Sequence, residues 1–436
     1  MSYVRGWLLV LAFAGATASQ APGAQSPLFR DFMGLNGHTV QFRPQLYKPV
    51  ATLARDYHPA EWDLGTNSNF IPPFPFARNR VDWQQVYGSW RSAGWRTDAC
   101  VMFETLPRQT WQDLAADSRA YAERFARALG PSATNALVES IEIGNEPGKF
   151  SDQDYRVVFE NMARGFRDGD PRLRVATCAL TAGKSHAYAK YVQCVAGLES
   201  LYDILTVHTY AQLEGWPTWR RSYPEDPRLT DYLGDVRRLC NWRAVHAPGK
   251  EVWITEFGYD ASSRTPDPKT EFKQWVGVSE EQQAQWLVRS WLLFATLPVE
   301  RAYLYFFNDE DLPQVHGSSG LTRHFQPKPA FYAAAHLQRT LADYRFNQAL
   351  INRPGEACLY EFSHGKDPKR RVWVVWSPTG SNRTSTLDLP DPDGIIEHVE
   401  PMPLQSGQAL TLPVEPRMRH VQISESPLYL FISRSP

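Results

Sequence analysis

The sequence predicts an α/β fold: a (β/α)8 TIM barrel followed by a small C-terminal antiparallel β-sandwich-like domain. Between residues 32 and 308, eight short β-rich segments alternate with helix-like segments, as expected for parallel strands joined by helices. After about residue 345, short strand-like segments follow one another without a long helix between them. The chain of 436 residues is long enough to hold both units.

The predicted barrel covers residues 27–342, and its strands are short runs rich in apolar and β-branched residues. They are Met33–Asn36, Ala51–Tyr57, Arg96–Met102, Glu139–Asn145, Leu173–Ala179, Asp203–Thr209, Glu251–Phe257 and Ala302–Asn308. The predicted helices are Trp83–Ala93, Trp111–Leu129, Asp152–Asp168, Tyr188–Leu198, Thr230–His246, Glu280–Thr296 and Pro329–Leu341. Asp152 and Ser279 are the expected helix caps. Pro44 and Pro49 interrupt any helix between the first two strands.

The predicted C-terminal domain covers residues 345–436 and contains only short strands. They are Ala357–Phe362, Arg371–Trp376, Thr384–Leu389, Ala409–Leu412 and Leu428–Ser433. Turn sequences such as Asp391-Pro392-Asp393-Gly394 separate them. Strands joined by short turns pair antiparallel, so this part of the chain is expected to form a β-domain without helices.

The N-terminus has the pattern of a secretory signal peptide, predicted here as residues 1–18. Arg5 supplies a positive charge before the apolar run Trp7–Ala16, which is too short to span a bilayer. Ala16 and Ala18 form an A-x-A cleavage site; an uncleaved anchor is the alternative. No later stretch is long and apolar enough to insert in a membrane. The expected location is therefore secreted or periplasmic.

Composition excludes several classes of function. The chain has 46 Lys+Arg against 47 Asp+Glu, so it lacks the basic excess of a nucleic-acid binder. It carries 15 Trp, 19 Tyr and 22 Phe, enough aromatic side chains to line a cleft as well as a core. Five cysteines without CxxC spacing leave at least one unpaired, and their pairing cannot be read from sequence. Zinc-site spacings are missing from the sequence, and we predict neither metal nor organic cofactor.

Two predicted strands end in a glutamate. The fourth ends in Asn145-Glu146-Pro147 and the seventh in Thr255-Glu256-Phe257-Gly258. The two glutamates are 110 residues apart, about 37 per βα unit. Because the C-terminal ends of barrel strands meet at one mouth, we expect both carboxylates to face it. Paired carboxylates suit glycoside hydrolysis, in which one acts as acid and the other as a nucleophile or base.

These two motifs resemble the signature pair of clan A glycoside hydrolases. The resemblance implies that Glu146 is the acid/base, that Glu256 is the nucleophile and that Asn145 contacts the sugar 2-hydroxyl. His208-Thr209-Tyr210, at the end of the sixth strand, is similar to the His/Tyr pair that the clan places beside its nucleophile. Arg55, at the end of the second strand, is similar to the arginine of the clan's second strand.

Within the clan, the sequence most resembles family 39, the β-xylosidase and α-L-iduronidase family. Tyr305–Asp309, the Gly317–Leu321 segment and Pro327–Phe331 carry this resemblance, and from the first we take Phe307 as a substrate-binding residue. Gly144 stands where family 39 usually has Trp, and Phe257-Gly258 replaces its usual Trp after the nucleophile. Gly-Asn-Glu-Pro also resembles family 79, and Thr-Glu-Phe-Gly resembles family 5.

Several candidates have a structural alternative. His208 could support its neighbours without touching sugar, Tyr210 could belong to the core, and Arg55 could form a structural ion pair. Trp62 and Trp216 are predicted to stack on sugar rings, with loop packing as the alternative for each.

The sequence thus predicts a retaining glycosidase that cleaves O-glycosidic bonds of a poly- or oligosaccharide through a covalent glycosyl-enzyme intermediate. Carbohydrate is the expected partner, with no nucleic acid and no stable membrane insertion after signal cleavage. One alternative is a non-hydrolytic carbohydrate-binding or exopolysaccharide-export scaffold. The other is a transglycosylase that uses the same two glutamates.

Overall fold

The computed structural model describes residues 25–183, 188–390, 394–407, 410–415 and 418–433. The predicted signal peptide, residues 1–18, lies outside the described residues. Within the described ranges, no helix combines the length and the apolar character needed to cross a bilayer.

Eight parallel strands close into a barrel, as predicted. In chain order they are β1 Met33–Gly37, β2 Leu53–Pro59, β3 Arg96–Met102, β4 Ser140–Ile143, β5 Arg174–Thr181, β6 Ile204–His208, β7 Glu251–Phe257 and β8 Arg301–Leu304. Each strand pairs with the next, and β1 pairs with β8 to complete the ring. Because all strands run in the same direction, their C-terminal ends form one mouth.

Helices surround the barrel. The longer ones are Trp83–Ser92, Leu114–Leu129, Asp152–Gly169, Tyr232–His246, Glu280–Phe294 and Pro329–Leu341, and two short ones are Pro44–Tyr47 and Ala60–Leu64. Asp82 and Asp113 each accept two backbone N–H groups at a helix start, and Ser279 forms a capping box. Ser151 rather than Asp152 caps the helix that follows β4.

The predicted helix Tyr188–Leu198 is wrong. Lys190–Tyr191 is extended and pairs with β5, and Val192–Cys194 forms a single 3-10 turn. The buried Lys190 ammonium donates to the Phe150 carbonyl at 2.6 Å and pairs with Asp152 at 3.0 Å. These contacts hold Lys190–Tyr191 in the extended conformation and end any helix before it can form.

The barrel interior changes character along its axis. A separate apolar cluster is formed by Leu53, Ala176, Ile204, Trp253 and Tyr303, from five different strands. Nearer the mouth the interior is polar, with side chains contributed by β1, β2, β4 and β7. A polar upper interior places charged groups where barrel enzymes carry out their chemistry.

The C-terminal part contains two antiparallel sheets. A five-stranded sheet has the order Tyr344–Arg353, Ala357–His364, Arg370–Trp376, Leu428–Ser433, Ile395–Pro401, and a two-stranded sheet pairs Ser385–Asp388 with His420–Ile423. Leu359, Trp373, Leu387 and Val421 belong to a core that both sheets share, whereas the neighbouring Tyr360 belongs to the core of the barrel. The predicted β-sandwich-like architecture is confirmed.

Four of the five predicted C-terminal strands are present. The fourth in chain order, Ala409–Leu412, is wrong: Leu412 forms only an isolated bridge to Val399, and residue 409 lies outside the described residues. Tyr344–Arg353, Ile395–Pro401 and His420–Ile423 are additional strands. All five cysteines of the chain lie in the described ranges, and each is a buried free thiol.

Candidate active site

The structure brings Glu146, His208 and Glu256 together at the barrel mouth. Glu146 follows the end of β4, His208 ends β6 and Glu256 is the penultimate residue of β7. One carboxylate oxygen of each glutamate and one ring nitrogen of His208 all lie within 4.8 Å of one another. The two carboxyl groups therefore lie close enough for both to contact the same glycosidic bond.

Three donors hold the carboxylate of Glu256. Tyr57 donates to Oε1 at 2.5 Å, Tyr210 donates to Oε2 at 2.8 Å, and the guanidinium of Arg55 lies 3.3 Å from Oε1. Burial by itself raises the pKa of Glu256, but His208, Arg55 and the two tyrosine hydrogen bonds outweigh it, so the pKa lies below its ordinary value. Glu256 is thus held as an ionised carboxylate with a fixed orientation.

Glu146 has a more open environment. Its side chain is 28% exposed, against 7% for Glu256. Nδ1 of His208 lies 2.9 Å from Oε1 of Glu146 and 3.6 Å from Oε2 of Glu256, so the imidazole bridges the two carboxylates. Nε2 of His208 is buried and has no hydrogen-bond partner among the described residues. The carboxyl of Glu256 is therefore fixed and buried, whereas that of Glu146 is partly exposed to solvent.

Arg55 supports the site from inside the barrel. Its guanidinium donates to both oxygens of Glu142, at 2.7 and 2.9 Å, and to the amide oxygens of Asn36 and Asn145, both at 2.8 Å. The side chain is fully buried, and its contact with substrate stays a prediction. The structural ion pair and the contact with Glu256 occur together.

Asn145 is oriented by two neighbours. Its Oδ1 accepts from Arg55 at 2.8 Å, and its backbone N–H donates to Oε1 of Glu104 at 2.7 Å. Within the described part of the chain, its Nδ2 has no protein partner, so the amide offers its NH2 group to a ligand. A pre-oriented donor of this kind suits a sugar hydroxyl.

Two side chains, those of Arg221 and His316, pack against the ring of Tyr210. The guanidinium of Arg221 lies 4.4 Å from the ring centroid, and His316 packs edge-on against the ring at 4.9 Å. Arg221 in turn donates to the Gly258 carbonyl at 2.8 Å and pairs with Asp260 at 3.0 Å. This packing fixes the tyrosine hydroxyl on Glu256.

The remaining predicted contact residues have different surroundings. Phe307 is 1% exposed and packs edge-on against Phe42 and Tyr47, so its ring lies in the core; its contact with substrate stays a prediction. Trp62 is partly buried, with its ring parallel to that of Trp83 at 6.2 Å. Trp216, in the loop after β6, is 71% exposed.

Sequence reasoning missed several residues that contact the predicted catalytic pair or its supports: Tyr57, Glu104, Arg221, and the two partners of Arg55, Asn36 and Glu142. Tyr57 had a usable signal, since it lies two residues after Arg55 on the same strand and so faces the same way. Glu104 follows the third strand as Glu146 follows the fourth. For Arg221 we find no signal, because it lies in a loop far from any motif.

The trio Glu146, His208 and Glu256 also meets the spacing that a divalent cation needs. In the structure, however, both oxygens of Glu256 accept hydrogen bonds from tyrosines, and the imidazole of His208 bridges the two glutamates. A cation would have to displace these donors. We therefore assign no metal site here.

Comparison with known proteins finds similarity in three dimensions only. No family model and no curated protein matches the sequence. A family 39 glycoside hydrolase from the gut symbiont Bacteroides cellulosilyticus WH2 superposes with a TM-score of 0.67 at 17% identity, over 92% of this chain and 80% of that one. A glucosidase from Croceicoccus marinus gives 0.61 at 14% identity, over 95% and 98% of the two chains.

A third similar structure is a family 51 arabinofuranosidase from Xanthomonas axonopodis pv. citri, with a TM-score of 0.62 at 11% identity over 94% of this chain and 98% of that one. At these identities the matches establish the fold, a barrel with a C-terminal β-domain, and they agree with the prediction made from sequence.

Proposed function

We propose that the protein is an exported retaining glycoside hydrolase of clan A, close to family 39, that acts on a poly- or oligosaccharide. The observation that carries the proposal is the approach of Glu146 and Glu256 to within 4.8 Å. Retaining glycosidases place their two carboxyl groups about 5–5.5 Å apart, whereas inverting enzymes leave about 6.5–9.5 Å for a water molecule. The resemblance of both glutamate motifs to the clan supports the same roles.

In the first step, Glu256 attacks the anomeric carbon and the glycosidic C–O bond breaks. Glu146 transfers its proton to the departing oxygen, so the leaving group departs as a neutral alcohol. The three donors on Glu256 favour its ionised form and orient it for attack. The greater exposure of Glu146 supports the role of acid, because a leaving group has to reach it.

In the second step, Glu146 removes a proton from an incoming water, whose oxygen attacks the anomeric carbon. The ester bond to Glu256 breaks, Glu256 leaves as a carboxylate, and the sugar keeps its original anomeric configuration. The free amide NH2 of Asn145 donates to the sugar 2-hydroxyl, a bond that strengthens as the oxocarbenium-like transition state forms.

The proposal also includes export and a role for the C-terminal domain. Export rests on the signal-like pattern of residues 1–18. For residues 345–436 we propose a bracing role, because buried Arg289 on the helix Glu280–Phe294 pairs with Glu225 of the barrel loops and, at 3.3 Å, with Glu425 of the C-terminal part.

Digestion of a glycan panel, followed by product sizing and NMR of the first-formed anomer, tests the proposal. We expect at least one glycan to be cleaved with retention by the wild type and not by Glu256→Gln, a variant of nearly the same shape. An inverted first product would contradict the mechanism. Binding without any cleavage over days would favour the scaffold alternative, and transfer to an added sugar acceptor in preference to water would favour the transglycosylase.

A further inference from the structure

We propose that Glu104 is a positioning residue for the acid/base glutamate: its carboxylate fixes the backbone of the turn that carries Asn145 and Glu146. The inference rests on the proposed function and adds a third carboxyl group to the site. Glu104 lies in the 3-10 turn Phe103–Thr105, directly after β3, which pairs with β4.

The hydrogen bonds of this turn form a continuous series. The N–H of Gly144 donates to the Val101 carbonyl at 2.9 Å. The next two N–H groups, those of Asn145 and Glu146, both donate to Oε1 of Glu104, at 2.7 and 3.1 Å. Three consecutive backbone donors are therefore held by β3 and the turn after it, and a single carboxylate oxygen supplies two of the three bonds.

The conformation of Gly144 belongs to the same arrangement. Its φ of +83° lies in the region that favours glycine, and a Cβ atom there would come within 2.7 Å of the Phe103 ring and 3.4 Å of Oε2 of Glu104. A side chain at this position would therefore collide with the ring of Phe103, the residue before Glu104 in the turn after β3. The glycine after β4 and the turn after β3 that carries Glu104 therefore belong to one packing arrangement.

The other oxygen of Glu104 points to a role beyond ordinary packing. Oε2 is buried and has no hydrogen-bond partner among the described residues. Burial raises the pKa of Glu104 to about 7, with the backbone bonds from Asn145 and Glu146 opposing and the charge of Glu146 adding to the rise. The other titratable groups facing it are the buried thiols of Cys100 on β3 and Cys178 on β5.

A misplaced Glu146 slows the hydrolysis of the intermediate equally for all leaving groups, but it slows formation of the intermediate only where the leaving oxygen needs a proton. Protonation of the leaving oxygen matters greatly for an alkyl or sugar leaving group and little for a dinitrophenolate, which departs unaided. Displacement of a catalytic group by about 1 Å costs roughly 100-fold in rate. A positioning role therefore predicts a loss that depends on the leaving group, whereas a purely structural role predicts equal losses on all substrates.

The test compares kcat/KM, which reports formation of the glycosyl-enzyme and not its hydrolysis, on a dinitrophenyl glycoside and on an unactivated alkyl glycoside of the same sugar. We expect Glu104→Ala and Glu104→Asp to lose about 30–100-fold on the alkyl glycoside and less than about threefold on the dinitrophenyl glycoside. Glu104→Gln keeps an acceptor oxygen at the same reach and should stay within about threefold of wild type on both. Glu104→Asp serves where Glu104→Ala fails to fold, because it keeps the carboxylate and shortens only its reach.

Thr105→Ala is the matched control, since Thr105 lies in the same turn and bonds Glu61 and Met102 rather than the residues after β4. Equal losses on both substrates for Glu104→Ala and Glu104→Asp, or a Gln variant as poor as the Ala variant, would overturn the proposal. Glu146→Ala is measured in parallel. If that variant shows no dependence on the leaving group, the proposed function fails; if it does and the Glu104 variants do not, only the role of Glu104 fails.

Discussion

The hydroxyl of Tyr57 lies 2.5 Å from Oε1 of Glu256, although β1 and β8 separate their two strands in the barrel. With Tyr210 on the opposite oxygen, this contact leaves the Glu256 carboxylate a single orientation. Both hydroxyls donate to the ionised form, so they lower the pKa of Glu256 against the effect of burial. The Glu256 carboxylate on β7 is thus held by a tyrosine of β2 and by a tyrosine that follows β6.

Removal of this hydroxyl should move the acidic side of the pH–rate profile. A nucleophile must be ionised, so activity falls as the pH drops through the pKa of Glu256. Tyr57→Phe removes a donor to the ionised form and should raise that pKa, which shifts the acidic limb of kcat/KM upward by about one pH unit and lowers the rate about tenfold. The measurement is a pH profile of kcat/KM for both proteins.

Tyr47→Phe is the control for this experiment, because the buried Tyr47 hydroxyl bonds Thr322 at 2.6 Å and lies among core side chains. It should leave the acidic limb in place. An unshifted limb in Tyr57→Phe would contradict the role of the hydroxyl.

Arg55 should affect stability and activity separately. Arg55→Met leaves Glu142 buried without its counter-charge, at a cost of about 3–5 kcal/mol in the free energy of unfolding. The double variant Arg55→Met/Glu142→Met removes both charges and should recover part of that loss. Activity should stay low in the double variant, since Asn145 and Glu256 still lack their donor. Denaturant unfolding and kcat on one substrate measure the two effects; recovery of full activity would show that Arg55 has only a structural role.

Glu104 should make stability depend on pH. A carboxyl whose folded-state pKa is raised binds its proton more tightly when folded, so its contribution is complete below the ordinary value of 4.5 and is lost as the pH rises through about 7. Between pH 4.5 and 7.5 the wild type should therefore lose on the order of 1–3 kcal/mol relative to Glu104→Gln. Urea unfolding of both proteins at several pH values provides the comparison, and parallel curves would refute the raised pKa.

Trp216 is the most exposed of the predicted sugar-stacking residues. Trp216→Ala should raise KM for a long glycan about tenfold, corresponding to the loss of one stacking contact, and leave kcat on a short aryl glycoside unchanged. Val245→Ala, at a similarly exposed position on the helix Tyr232–His246, is the control and should change neither value. If Trp216→Ala behaves like the control, the tryptophan does not contact the glycan.

The barrel could be predicted because its signal is repeated. Eight apolar strands at similar spacing are hard to arrange in any other way. A residue at the C-terminal end of such a strand then lies at the mouth of the barrel. The segment Tyr188–Leu198 was misassigned because its structure depends on a tertiary contact, the buried Lys190 with Asp152. The edge strand Tyr344–Arg353 was missed because most of its residues are partly or fully exposed, which removes the apolar alternation.

The site was only partly predictable for a similar reason. Sequence position placed Glu146 and Glu256 at the mouth, but it does not reveal which neighbours touch them. Phe307 lies three residues after β8, and its ring turns into the core. Arg55 is the third of the seven residues of β2, and its guanidinium is covered by the groups it bonds. Whether a side chain reaches the mouth depends on its exact position along the strand, because a shift of one residue turns the side chain to the other face.

The most direct test of the central assignment is the anomeric configuration of azide adducts. Glu256→Ala has no nucleophile, so azide should attack the substrate itself and give a glycosyl azide of inverted configuration. Glu146→Ala still forms the covalent intermediate on an activated aryl glycoside, so azide should intercept it and give the retained product. Exchanged configurations, or full activity of either variant on a natural glycan without azide, would contradict the assignment of Glu256 as nucleophile and Glu146 as acid/base.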